Sequence, residues 1–537
     1  MQIVVRSKKW GYLIVALVVM ALALGACASP DPQSSKEQSA SPSSSTTPAS
    51  ANDSEQAKRV TIIHSLPVDT MDPHIGWIAL RAGVTETLVR LDENMQVQPW
   101  LAAEWEQPGP TTWVFTLRDN IHFQDGSMLD AQAAKLSFER GIADSASLAA
   151  SLKLASIEAD GQRLTFTTTE PHPAFPTELV HPTASLISVA AEEELGKDRF
   201  NLAPVGTGPF KVTSFVPGKE INLSRFDEYW DGAALLSEVV IQFNSDANVR
   251  TLAFQSKQAD IVYHLAPEAL EVIDKDAELS VESVTSMRTH YFTYNPMSAQ
   301  VNDARVRQAL DKLIDRDAIV KEVMLGHALP AAGPFNPLLP FGSERDAQSL
   351  DVEGAVALLA EAGYVKGNDG KLAKDGQPLS LKLIAFSGIN PELPLIPLVV
   401  QSEAAKAGIA IDIISVEYPE TYIKESTDWD LSTATYLTAP RGDGGSFLNA
   451  AYMPGGAYNS ANIEVEGLAE VVEELNATDE TSERYALTRR AVDTINEALP
   501  HSYIIHPNIL VGVHKSIQNW KPGAEEFYIV TNKLDVN

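Results

Sequence analysis

The chain has a single cysteine, Cys27, and that constrains everything downstream of it. With one thiol, no disulfide can close within the chain, and no cysteine cluster can hold zinc. Whatever folds must rest on an apolar core. A length of 537 residues, 44% of them hydrophobic, provides enough core for more than one lobe. Cys27 also ends a leader. Arg6, Lys8 and Lys9 precede an apolar run from Trp10 to Leu24, shorter than the ~20 residues of a comfortable membrane span.

Leu24-Gly25-Ala26-Cys27 resembles the lipobox of bacterial lipoproteins. The resemblance implies that residues 1–26 are removed as a signal peptide and that Cys27 carries lipid. Residues 27–58 are rich in Ser, Pro, Thr, Ala and Gln and lack large apolar side chains. Such a segment cannot offset its ordering entropy by burial, so a disordered tether is expected. A tether lets an anchored receptor reach a membrane partner. The net charge of −30 argues against nucleic acid as a partner and against a basic surface for anionic lipid.

The remainder reads as α/β. Arg59 to His64, Thr111 to Arg118, Arg163 to Thr169 and Phe210 to Phe215 have strand composition or alternation. Ala79 to Leu91 has the spacing of a helix, and Asp130 to Ile142 reads as a helix capped by Asp130. In the second half, Val301 to Gly326 is largely helical and Asp351 to Ala362 is a helix closed by Gly363. Leu379–Phe386, Ile396–Ala407 and Ile409–Val416 follow as strand, helix and strand, which implies a parallel layer. Gly206 and Gly208 suit a tight turn.

Several segments, weak singly, stand in a specific order. They are Met71-Asp72-Pro73-His74, Glu86 to Leu91, Gln98 to Trp105, Trp113 to Asn120, Val205 to Phe210 and Asn302 to Leu310. Together they resemble the extracellular solute-binding proteins, family 5, that serve peptide and nickel ABC importers. The wording Gln98-Pro99-Trp100-Leu101-Ala102-Ala103-Glu104-Trp105 is closer to the nickel-binding members. The resemblance implies a two-lobed periplasmic-binding-protein-like fold with a small extra subdomain in the first lobe. On that pattern lobe I spans 59–288, with the subdomain at about 99–200, lobe II spans 289–504, and 505–537 return to lobe I. It also implies an exported monomer, anchored outside the cytoplasmic membrane or in the periplasm. Such a monomer would pass a metal chelate or a short peptide to a permease in that membrane and need no cofactor. A di- or oligopeptide-binding protein and a ligand sensor that feeds no importer are the alternatives.

The family has two places that face ligand. In the loop after Phe175, the nickel-binding members that take chelated metal carry an Arg before Pro that holds the chelator's carboxylate. Here the pair is His181-Pro182. The second place is the loop from Tyr436 to Ser446, where Arg441 is a natural partner for a carboxylate and Asp443 for an amino group. Tyr436 and His506 are candidate wall residues. The family's direct metal-binding His falls where this chain has Gly456, so direct ligation there is not expected. The motifs of metalloproteases, nucleophile elbows and phosphate loops do not occur, and an enzyme is not expected.

Overall fold

The computed structural model describes residues 58–386 and 390–537; the leader, Cys27 and the tether up to residue 57 lie outside them. Among the described residues, no helix is long and apolar enough to cross a membrane.

The first lobe is built on Arg59–His64, which pairs in parallel with Glu238–Phe243 on one side and Ile261–Val262 on the other. Its β-branched run suits a strand covered on both faces, and Val60, Ile62 and Ile63 are buried. Glu220–Arg225 and Phe210–Val216 extend the sheet antiparallel. In the second lobe, Ser380–Phe386 pairs in parallel with both Ala410–Val416 and Leu431–Leu437. The crossover between the first two is the helix Ile396–Ala407, which ends at Gly408 with φ 95°, a left-handed cap that favours glycine.

One strand, His501–His514, belongs to both lobes. Its first half pairs with Arg288–Tyr294 and its second half with Leu279–Thr285 and Ile261–Val262. The strands Leu279–Thr285 and Arg288–Tyr294 are consecutive. The chain therefore passes between the lobes twice, side by side, at residues 286–287 and near Pro507. The Ser286 N–H and hydroxyl both donate to the Pro507 carbonyl, at 3.3 and 2.8 Å. Two adjacent extended crossings are the geometry of a hinge, because few torsions separate two rigid sheets.

A separate antiparallel sheet of Ala102–Gly109, Thr112–Leu117, Arg163–Thr168 and Leu154–Asp160 forms the small subdomain. The helix Ala131–Asp144 covers it, with the Asp130 carboxylate accepting the Ala133 N–H at 2.8 Å. Trp113, Phe115, Phe138 and Phe166 fill the space between.

Two of the segments that carry the resemblance fasten the first lobe. Asp72 accepts two bonds from Arg140, both 2.8 Å. Glu86 accepts from Thr207 at 2.7 Å, Tyr229 at 2.6 Å and Trp230 at 3.0 Å. Burial nevertheless pushes the Glu86 carboxyl up to about 7. Two readings need correction. Ala79 to Leu91 is not one helix: the helix is Ile78–Arg81, and Gly83, at φ 65° and close to the Val530 carbonyl, turns the chain into the strand Val89–Leu91. Gly206 and Gly208 are required by close approach rather than by a turn. A Cβ on either would come within 2.2 and 2.3 Å of the carbonyls of Val84 and Gly83.

Candidate ligand site between the lobes

In open α/β sheets, ligands gather at the carboxyl ends of parallel strands. Here both lobes bring such ends to the cleft. In the first lobe, Arg59–His64 ends in His64, and Ile261–Val262 leads into Tyr263 and His264. In the second, Leu431–Leu437 leads into the loop that carries Arg441, and Ser380–Phe386 leads toward Glu392.

On the first-lobe side, His264 Nδ1 meets the Ser65 hydroxyl at 2.7 Å, and His264 Nε2 meets a Glu526 carboxylate oxygen at 3.2 Å. Arg288 stands 4.0 Å from the other oxygen of Glu526. Burial pushes the Glu526 carboxyl up, but the bond to His264 and the charges of Arg288 and Arg81 hold it well below the usual range. Trp77 packs edge-on against His181 and Phe527, with ring centroids 5.3 and 5.8 Å apart, and Arg81 lies over the Trp77 ring at 5.3 Å.

His181 sits in this wall. Its Nδ1 meets the Thr183 hydroxyl at 2.7 Å and accepts the Thr183 N–H at 3.3 Å, so it caps the short helix Pro182–Ala184. Burial and then the charge of Arg441 lower its pKa well below the ordinary value, so the ring is neutral. Arg441 comes from the opposite lobe and donates to Glu178, three residues before His181. Its neighbour Gly442, at φ 73°, lies against the first lobe, where an added Cβ would come within 2.2 Å of the Met95 carbonyl. Arg441 and His181 are thus brought together.

Asp443 is not brought to them. Its carboxylate accepts from Arg484 at 2.8 and 3.2 Å and from the Gly445 N–H at 2.7 Å, all inside the second lobe. It shapes the loop, and both of its oxygens are engaged inside the second lobe. Tyr436 lines a neighbouring second-lobe pocket with Tyr291, Glu420, Tyr458 and His501. Its ring stacks on Tyr458 at 4.3 Å and its hydroxyl donates to Glu420 at 3.1 Å. His506 lies in the crossing strand, 1% exposed, with Nδ1 on the Thr289 hydroxyl at 2.9 Å. That position is inside the hinge rather than on the cleft wall. Gly456 could not be a His without rearrangement, since a Cβ would fall 2.3 Å from the Ala450 carbonyl.

Sequence reasoning passed over Trp77, Arg81, His64, His264, His290, Glu392 and Glu526. His290 Nε2 meets Glu392 at 2.8 Å, and both are buried. The one available signal was Arg81 itself, a charge inside the apolar run Trp77-Ile78-Ala79-Leu80-Arg81-Ala82-Gly83-Val84.

The sequence profile described as "Bacterial extracellular solute-binding proteins, family 5 Middle" matches residues 96–459. The chain belongs to this family. The nickel-binding protein NikA of Staphylococcus aureus is 32% identical over 474 residues, 88% of this chain and 93% of that protein. A solved structure of NikA from S. aureus in complex with Ni(L-His)2 has a TM-score of 0.79 at 30% identity, covering 89% of this chain and 100% of the other. A nickel ABC transporter structure from Bacillus halodurans has a TM-score of 0.74 at 41% identity, again covering 89% and 100%. The chain is thus a family 5 solute-binding component of an ABC importer, with the two-lobed fold and the extra subdomain of that family. Its relatives are substrate-binding transport proteins rather than enzymes.

Proposed function

We propose that this family 5 protein captures a nickel chelate bearing carboxylates and delivers it to its permease as an exported monomer held at the membrane through lipid on Cys27. Lobe I comprises 59–288 and 505–537, and lobe II comprises 289–504. The observation that carries the capture reading is the pair Arg441–Glu178. A second-lobe guanidinium reaches a first-lobe carboxylate beside neutral His181, across a cleft between lobes linked by the paired crossings. A ligand that touches both walls selects the closed state through those contacts. The nickel part of the reading is supported by the names of the two relatives above 30% identity. Arg441 and His181 are the first contacts expected for the chelate, with Tyr436 nearby. Asp443 and His506 then act as supports.

The test is calorimetric titration of stripped protein with a nickel–histidine mixture and, separately, with a panel of dipeptides. Tight binding of the nickel complex and none of the dipeptides is expected. The reverse pattern makes this a peptide-binding protein. Small-angle scattering that shows no compaction at saturation sinks the closure reading.

A further inference from the structure

Among the described residues, four arginines are buried: Arg81, Arg250, Arg316 and Arg484. Three have acceptors. Arg250 donates to the carbonyls of Asn244, Tyr263 and His264 at 2.8, 3.2 and 2.5 Å. Arg316 donates to the Tyr503 carbonyl at 2.8 Å and to Asp311 at 2.5 Å. Arg484 donates to Asp443 at 2.8 Å and to the Leu475 carbonyl at 2.7 Å. Arg81 has no acceptor among the described residues. It is 6% exposed, its Nε is buried without a partner, and its guanidinium lies over the face of Trp77. A guanidinium cannot shed its proton to escape burial; the charge of Glu526 acts on Arg81 without a hydrogen bond, so its buried Nε–H is left for a further anion to accept.

Two further orphans lie within reach of the Arg81 charge. His64 Nδ1 accepts the Leu66 N–H at 3.1 Å, which puts the proton of the neutral ring on Nε2, and Nε2 is buried with no acceptor. Glu526 spends one oxygen on His264, while Oε1 is buried with no hydrogen-bond partner. Ligating atoms of His64, His264 and Glu526 lie within 4.8 Å of one another. His264 and Glu526 are both held at left-handed φ, 56° and 60°, where side-chain-bearing residues are uncommon. Arg250 fixes the first of these through the His264 and Tyr263 carbonyls. The spacing of His64, His264 and Glu526 also admits a bare cation. However, the lone pair of His64 Nδ1 is taken by Leu66, and Arg81 adds a positive charge beside the group.

We infer that Arg81 anchors a ligand carboxylate, with His64 Nε2–H as second donor and Glu526 Oε1 receiving an adjacent amino group. The first lobe thus takes the head group of an α-amino acid, free or as a ligand of the metal. The inference rests on the proposed reading only in placing the ligand in this cleft. Arg441 is engaged by Glu178, so the free guanidinium is the one the sequence did not single out.

The test uses full-length mature protein, stripped of ligand by unfolding and refolding, and the variants Arg81→Met and Arg81→Lys. The probes are nickel–histidine, nickel–histamine, which lacks the carboxylate, and nickel chloride alone. Arg81→Met is expected to leave the ligand-free melting temperature near that of wild type, because the charge it removes has no hydrogen-bond acceptor, while Glu526 keeps its bond to His264 and the charge of Arg288. It should bind nickel–histidine at least ~30-fold more weakly, with partial rescue by Arg81→Lys. Wild type should bind nickel–histamine as poorly as Arg81→Met binds nickel–histidine. Affinity of Arg81→Met within threefold of wild type overturns the assignment, as does a lower ligand-free melting temperature, which would mean a structural role. Nickel chloride binding as tightly as the complex, and losing that binding in His264→Ala, makes this a cation site instead. If wild type takes no nickel–histidine, the nickel reading falls. The melting comparison and titration with L-histidine then decide Arg81 alone.

Discussion

The contact most open to perturbation is the pair of Arg441 and Glu178 across the cleft. Replacing Glu178 with Gln keeps its shape and removes its charge. The side chains are 17% and 7% exposed, so the pair sits between a surface ion pair and a buried one. A hydrogen bond to a charged group contributes ~1.5–3 kcal/mol and an exposed ion pair ~0–1 kcal/mol. A value of about 2 kcal/mol corresponds to about 30-fold in the closed-to-open ratio. Where the ligand-free protein is mostly open, that factor appears as weaker binding. Where it is mostly closed, it appears first as a larger radius of gyration. Calorimetry and small-angle scattering on Glu178→Gln, Arg441→Ala and the double variant read both. Because the two residues act on each other, the double variant should cost little more than either single one. Additive costs, or single variants within threefold of wild type by both measures, would refute a latch.

Other outcomes follow from the same geometry. Gly442→Ala should favour the open form, because its Cβ would meet the Met95 carbonyl of the other lobe; scattering should show expansion and affinity should fall at least tenfold, and an unchanged radius would contradict it. Asp443→Ala should lower stability by about 3–5 kcal/mol in urea unfolding, since it leaves Arg484 charged and buried; a loss below 1 kcal/mol would show the pair to be dispensable. His501 and His506 are both lowered to about 3 by burial. Below pH 6.5 the unfolded chain protonates both while the folded chain does not, so stability should decline as pH falls from 6.5 toward 3 and level off below. His501→Phe should make that decline shallower in urea titrations at pH 7, 5.5 and 4.5, and an identical slope would remove His501 from the cause.

What could be read from the sequence was local. Ile396–Ala407 with Gly408, and Arg59–His64, carry their own periodicity and end signals, so they match the structure closely. Ala79 to Leu91 misleads because its apolar spacing is helical while Gly83 must pass close to a backbone carbonyl, a constraint imposed by the distant Val530. The same holds at the site. The loop around Arg441 advertises itself through its glycines and its charge. Nothing local reveals that Glu178 is its partner, or that Arg484 takes Asp443. His64, His264 and Glu526 come from three distant segments and meet only because two parallel strand ends and the returning C-terminal segment converge.

The most direct measurement is native mass spectrometry, with metal analysis, of the protein purified from its own cells without stripping. The expected result is one nickel per chain, together with a small organic ligand that carries carboxylates, lost together on unfolding. A ladder of peptide masses with no metal would contradict the nickel reading and make the cleft a peptide site.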